Sequence, residues 1–170
     1  MNRILALLPA GALALAALVV TASPVLAEDD EPAFITLVGG AYDVNDDEDN
    51  TAEFRLEYRS DKQFYYLKPF AAVAGTASGS VFVGAGVLMD VYFGRRLVVT
   101  PSFAPHFYHQ GGSDKDLDYP LEFRSQLEIA YRFDNRSRLG LAISHYSNAS
   151  LGDSNPGVET LSLNYSIPLD

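Results

Sequence analysis

Leu121-Glu122-Phe123-Arg124-Ser125-Gln126-Leu127-Glu128-Ile129-Ala130-Tyr131-Arg132-Phe133 alternates apolar with polar side chains almost without a break. Leu121, Phe123, Leu127, Ile129, Tyr131 and Phe133 fall on one side; Glu122, Arg124, Gln126, Glu128 and Arg132 fall on the other. In a strand, successive side chains point to opposite faces, so this period of two describes a sheet with one apolar and one polar face. An earlier stretch repeats the pattern, with Ala52, Phe54, Leu56 and Tyr58 set between Glu53, Arg55, Glu57 and Arg59. Two architectures satisfy it. A soluble sandwich turns the apolar face to its core and the polar face to water. A membrane barrel turns the apolar face to lipid and fills its lumen with the polar one. Acid and base are interleaved on each polar face, as a narrow lumen requires, although a solvated face tolerates the same order.

The rest of the chain reads as strand after strand. Aromatic and β-branched runs separated by turn residues predict eight segments, at about 33–42, 51–59, 64–74, 80–92, 96–108, 120–133, 137–147 and 158–167. Segments 64–74 and 80–92 alternate poorly and are rich in Gly and Ala. No amphipathic helix is predicted. The connections favour a barrel. Those at 43–50, 109–119 and 148–157 are long, 75–79 is moderate, and 60–63, 93–95 and 134–136 are short. Long loops on one side and tight turns on the other are the pattern of outer-membrane barrels.

The N-terminus points the same way. Met1-Asn2-Arg3 is short and basic, residues 4–20 are apolar, and Val25-Leu26-Ala27 precedes the acidic Glu28-Asp29-Asp30. This predicts a secretory signal peptide over 1–27 and a barrel domain over 28–170. With no cysteine, disulfide scaffolds, thiol catalysis and zinc–thiolate sites are excluded. A formal net charge of −10 argues against a nucleic-acid partner, which needs a basic patch. No apolar stretch after the leader is long enough for a membrane helix, which leaves a closed barrel as the way to span a bilayer.

Chemistry concentrates near the C-terminus, in Ser144-His145-Tyr146-Ser147-Asn148-Ala149 and Gly157-Val158-Glu159-Thr160. Read as a hairpin with Ser147 facing Gly157, His145 faces Glu159, Ile143 faces Leu161, Leu141 faces Leu163 and Leu139 faces Tyr165. A slip of one residue would put the two apolar stripes on opposite faces. His145 and Ser147 share a face about 6.5 Å apart along the strand. A serine, an imidazole that can take its proton and a carboxylate that can orient the imidazole are the parts of an activated-serine site. Taken singly, each reads as a polar residue at a strand end; the register makes them a set.

Other polar groups read as structural. Asn155-Pro156-Gly157 suits a turn. The acidic run Asp43-Val44-Asn45-Asp46-Asp47-Glu48-Asp49 lacks the glycine and flanking helices of a calcium loop and reads as a solvated loop. His106 and His109 are three apart on a strand and point to opposite faces, so they do not pair on a metal. Gly84 and Gly86 precede no helix and read as relief for barrel curvature.

Ile143-Ser144-His145-Tyr146-Ser147-Asn148-Ala149, the loop ending Asn155-Pro156-Gly157, then Val158-Glu159 and Tyr165-Ser166-Ile167-Pro168 together resemble the lipid A 3-O-deacylases (PagL-like acyloxyacyl hydrolases). The His-x-Ser-Asn motif and its spacing to the glutamate both match. The resemblance implies an all-β fold, an eight-stranded antiparallel up-and-down transmembrane β-barrel of the bacterial outer membrane, with its site near the outer leaflet. It implies an esterase that removes the acyl chain at position 3 of lipid A. Ser147 would be the nucleophile, His145 the general base, Glu159 its orienting carboxylate and Asn148 an oxyanion-hole donor. No cofactor or metal is implied. Lipid A and outer-membrane lipid are the expected partners, with a homodimer left open. A non-catalytic structural or adhesion barrel, a soluble lipid-binding sandwich and a hydrolase of another outer-leaflet ester are the competing expectations.

Overall fold

The computed structural model describes residues 24–26, 31–45 and 50–169. The strands are β1 (Pro24–Leu26), β2 (Ala33–Tyr42), β3 (Thr51–Arg59), β4 (Lys68–Thr76), β5 (Val81–Leu88), β6 (Val91–Phe93), β7 (Leu97–His109), β8 (Leu121–Arg132), β9 (Arg138–Ser147) and β10 (Val158–Leu169). Each wall strand pairs antiparallel with the next in sequence, and β10 returns to pair with β2, which closes the sheet. β5 and β6 both pair with β7 and act as one wall strand interrupted at Met89-Asp90, so the barrel has eight staves. β1 adds to the free edge of β6. The leader expected over 1–27 lies, apart from the backbone of 24–26, outside the described residues.

Burial decides between sandwich and membrane barrel. Leu141 is 60% exposed and Leu163 52%, whereas Arg124 is 0% and Glu57 1% exposed. A soluble protein has the reverse order. On β3 and β8 the apolar face turns outward and the charged face inward, as a bilayer demands. The soluble-sandwich reading is thereby overturned.

The lumen is held by ion pairs. Glu57 meets Arg55 at 2.9 Å, Arg59 at 2.9 Å and Arg124 at 2.8 Å. Arg59 also reaches Glu128 at 2.7 Å, and Gln126 accepts from Arg55 and from Ser144. Pairing of this kind is what makes charge tolerable in a dry interior. Nearer the short-turn end, Asp90 accepts from Arg138, Thr100 and Lys68. This inward turn of Asp90 accounts for the break between β5 and β6. The glycines of β5 face the same crowded lumen: a Cβ at Gly84 would lie 2.6 Å from the His106 ring, and one at Gly86 would collide with the β7 backbone.

Two expected strands change: 80–92 breaks at Met89-Asp90 into β5 and β6, and 64–74 starts later than expected. Residues 64–67 are not strand: Phe64 bridges Leu67 across a tight turn, Tyr65 has φ of 56°, and β4 begins only at Lys68. Phe64, Tyr65 and Tyr66 project outward at 74%, 79% and 54% exposure. They form an aromatic belt at one end of the apolar wall, where such rings sit between lipid and water. The aromatic run that looked like a strand thus serves the interface. Its turn is therefore long, while Ala77–Ser80 on the opposite end is tight, so loop length alone misjudges these two connections.

Candidate active site

β9 and β10 pair in the register expected: His145 faces Glu159, Ile143 faces Leu161, Leu141 faces Leu163, and Leu139 faces Tyr165. Period two sends all of these outward, so the polar pair stands where the lipid-facing stripe reaches the long-loop end. His145 Nδ1 and Glu159 Oε1 are 3.0 Å apart, and both side chains are partly exposed. A carboxylate can only accept, so Nδ1 donates here; in the neutral ring this tautomer leaves Nε2 with the lone pair a general base needs.

Ser147 is the next outward residue on β9, half-buried, in register with Phe123 of β8. The hydrogen bonds of the described residues join the imidazole to Glu159 and leave Ser147 without one to His145. Between them, Tyr146 points into the lumen at 0% exposure and packs on Phe82 with ring centroids 4.8 Å apart. That anchor fixes the strand and keeps 145 and 147 on the outside.

Gly157, which reads in the sequence only as a turn residue, abuts the imidazole. A Cβ there would come within 2.6 Å of His145 Cε1 and 3.3 Å of Nε2. Glycine leaves room for the histidine between its carboxylate and the serine.

Asn148 faces the other way, 1% exposed. Its Nδ2 donates to the carbonyls of Leu117 and Ser154, at 3.1 and 2.8 Å. Its backbone N–H donates to Asn155 Oδ1, and its Oδ1 accepts from Ser150 N–H. All these groups are thus engaged in shaping the loop after Ser147. Asn155 is part of the same arrangement. The β7–β8 loop closes over it: Leu117, 1% exposed, sits among Tyr42, Phe82, Tyr108, Tyr146 and Val158, and Asp118 Oδ2 accepts from Ser154 N–H at 2.7 Å. Ala149 and Ser150 adopt φ of 53° and 62°, a left-handed pair held by these bonds.

The remaining candidates separate. His106 is buried with Nδ1 on the carbonyl of Ala104, and His109 faces outward. Asp43 is buried and pairs with Lys115 at 2.6 Å, while residues 46–49 of the acidic run lie outside the described residues. Among the described residues no group of His, Asp and Glu is disposed to hold a metal.

A closed barrel with a lipid-facing wall, carrying a His–Glu pair and a nearby serine at its rim, defines the class of membrane-embedded β-barrels. The profile of the lipid A 3-O-deacylase (PagL) family matches residues 38–168, and the chain belongs to that family. It is similar to the lipid A deacylase PagL of Pseudomonas aeruginosa, 30% identical over 88 residues, 52% of this chain. That match spans 42% of the relative's length. Among solved structures, the crystal structure of the outer membrane enzyme PagL superposes with a TM-score of 0.66 and 22% identity, over 80% of this chain and 99% of that one. A de novo designed transmembrane β-barrel gives 0.57 at 13% identity, over 81% and 95%. Both likenesses establish the fold.

Proposed function

We propose that the chain is an outer-membrane esterase that removes the ester-linked acyl chain at position 3 of lipid A. The observation that carries this reading is the His145–Glu159 contact, with Ser147 beside it on the lipid-facing side of the rim. A water-soluble substrate would have no need of a site on the outer wall. A lipid in the outer leaflet arrives there laterally, with its ester at the interface and its chains alongside Ile143 and Leu161.

In the reaction, Ser147 Oγ attacks the ester carbonyl carbon as His145 Nε2 takes its proton. Glu159 holds the ring and balances the charge of the imidazolium. The tetrahedral intermediate collapses by breaking the bond to the sugar oxygen, which leaves with the proton from His145. Water, deprotonated by the same nitrogen, then attacks the acyl–Ser147 ester and frees the fatty acid. Asn148 enters as the oxyanion donor; it can serve only by exchanging one of its present acceptors for the substrate oxygen, and a donor of this kind is worth about 10²–10³ in rate. Mass spectrometry of lipid A from Gram-negative cells expressing the chain tests the reading. Loss of one 3-hydroxyacyl group is expected with the native chain and not with Ser147→Ala. Unchanged lipid A in both, with the barrel folded in the membrane, overturns it.

A further inference from the structure

The acidic run after β2 begins with a residue that is not solvated. Asp43 is buried and adopts φ of 59°, a left-handed conformation that Asp tolerates better than most residues. β2 pairs with β10 as far as Tyr42 and Thr160, so one more step of the ladder would bring the chain opposite Glu159. The turn at Asp43 ends the strand there and aims the next amide back at β10: Val44 N–H donates to the carbonyl oxygen of Glu159 at 3.0 Å. The turn is held from another loop. Lys115, between β7 and β8, meets the Asp43 carboxylate at 2.6 Å, and both side chains are largely shielded from water. Lys115 is itself fixed, its carbonyl accepting from the Tyr108 hydroxyl at 2.8 Å and its N–H donating to Ser113 Oγ at 3.2 Å. A carboxylate this buried needs a cation to meet it, and meeting Lys115 sets the direction in which the chain leaves β2.

We propose that Asp43 is a positioning residue for Glu159: its ion pair with Lys115 holds Val44 N–H on the Glu159 backbone and so fixes the carboxylate that orients His145. Its effect on rate rests on the esterase reading of the site; its hold on the backbone rests on the loop contacts alone. Glu159 is the second residue of β10, just past the long loop from β9, where a strand is least constrained by its own ladder. His145 meets it from the β9 side and Val44 from the β2 side. A shift of the Glu159 backbone carries its carboxylate away from His145 Nδ1, now 3.0 Å distant, and a misplacement on the order of 1 Å can lower a rate by about 10².

The test uses the full chain in detergent micelles, with purified lipid A as the probe and amide hydrogen exchange at Val44 as a second readout. Asp43→Asn keeps a side chain that suits the left-handed turn and removes the charge. It is expected to speed exchange at Val44 and to lower kcat about tenfold with little change in KM, a part of the loss a full displacement brings. Lys115→Met, which leaves the turn residue in place, is expected to do the same and supplies both readings if Asp43→Asn does not fold. Residues that act through one another are not additive, so Asp43→Asn added to Glu159→Ala is expected to cost nothing further in kcat. Native exchange at Val44 in both variants overturns the proposal. An equal loss in kcat with and without Glu159 also overturns it, because Asp43 would then act by another route. Native chain that leaves lipid A intact, while both variants speed exchange at Val44, overturns the esterase reading and upholds the hold on the Glu159 backbone.

Discussion

Gly157 and Glu159 bracket the imidazole, and each gives a separate handle on it. Adding one methyl at Gly157 places a carbon 2.6 Å from His145 Cε1, so the ring must move. A displacement on the order of 1 Å can lower a rate by about 10². Gly157→Ala is expected to show a loss of that size in kcat while the folded barrel migrates normally on a heat-modifiable gel; native kcat would show that the ring is not held here. Glu159→Ala removes the acceptor of Nδ1–H and frees the other tautomer, with an expected loss in kcat on the order of 10²–10⁴. The motif His145-x-Ser147 and its register with Glu159 were legible in the chain because period two leaves few ways to align two apolar stripes. Gly157 was not. Its closeness to the ring arises from approach in space, where the loop before β10 comes back against His145.

At the scale of elements, the loop after Ser147 is shaped from outside itself. Leu117 fills the aromatic cluster under the rim, its carbonyl accepts a hydrogen bond from Asn148, and Asp118 accepts one from the Ser154 N–H. Asn148 had been expected at the oxyanion; nothing in the sequence announces that another loop will supply acceptors for it. The strands were legible because alternation and turn residues mark them, and the two errors arose where side chains serve something other than pairing. Phe64-Tyr65-Tyr66 serves the interface, and Asp90 serves Arg138. The clasp predicts a distinct phenotype. Asp118→Ala should speed amide hydrogen exchange at Ser154 and lower kcat several-fold with little change in KM. Asp118→Asn, which keeps an acceptor oxygen, should restore both. If the alanine variant exchanges at the native rate, the two loops are not coupled through this bond.

The whole molecule is inside out relative to a soluble protein, and its stability follows from that. Glu57 sits among Arg55, Arg59 and Arg124 at 1% exposure, so its removal leaves three guanidinium groups short of an acceptor in the lumen. Breaking one partner of a buried charge set costs about 3–5 kcal/mol. Outward, Leu141 faces the bilayer, and an arginine at the midplane of a barrel wall costs about 2–4 kcal/mol. Glu57→Ala should therefore lower the urea midpoint of the barrel in lipid vesicles and in detergent micelles alike, because the lumen is the same in both. Leu141→Arg should lower it in vesicles and much less in micelles, where water and mobile detergent headgroups reach the charge. The pair of responses tests the orientation of the whole sheet. A vesicle-specific penalty at Glu57, or equal penalties in both media at Leu141, would mean that the apolar face does not meet the bilayer and that a site on that face cannot take its substrate from lipid.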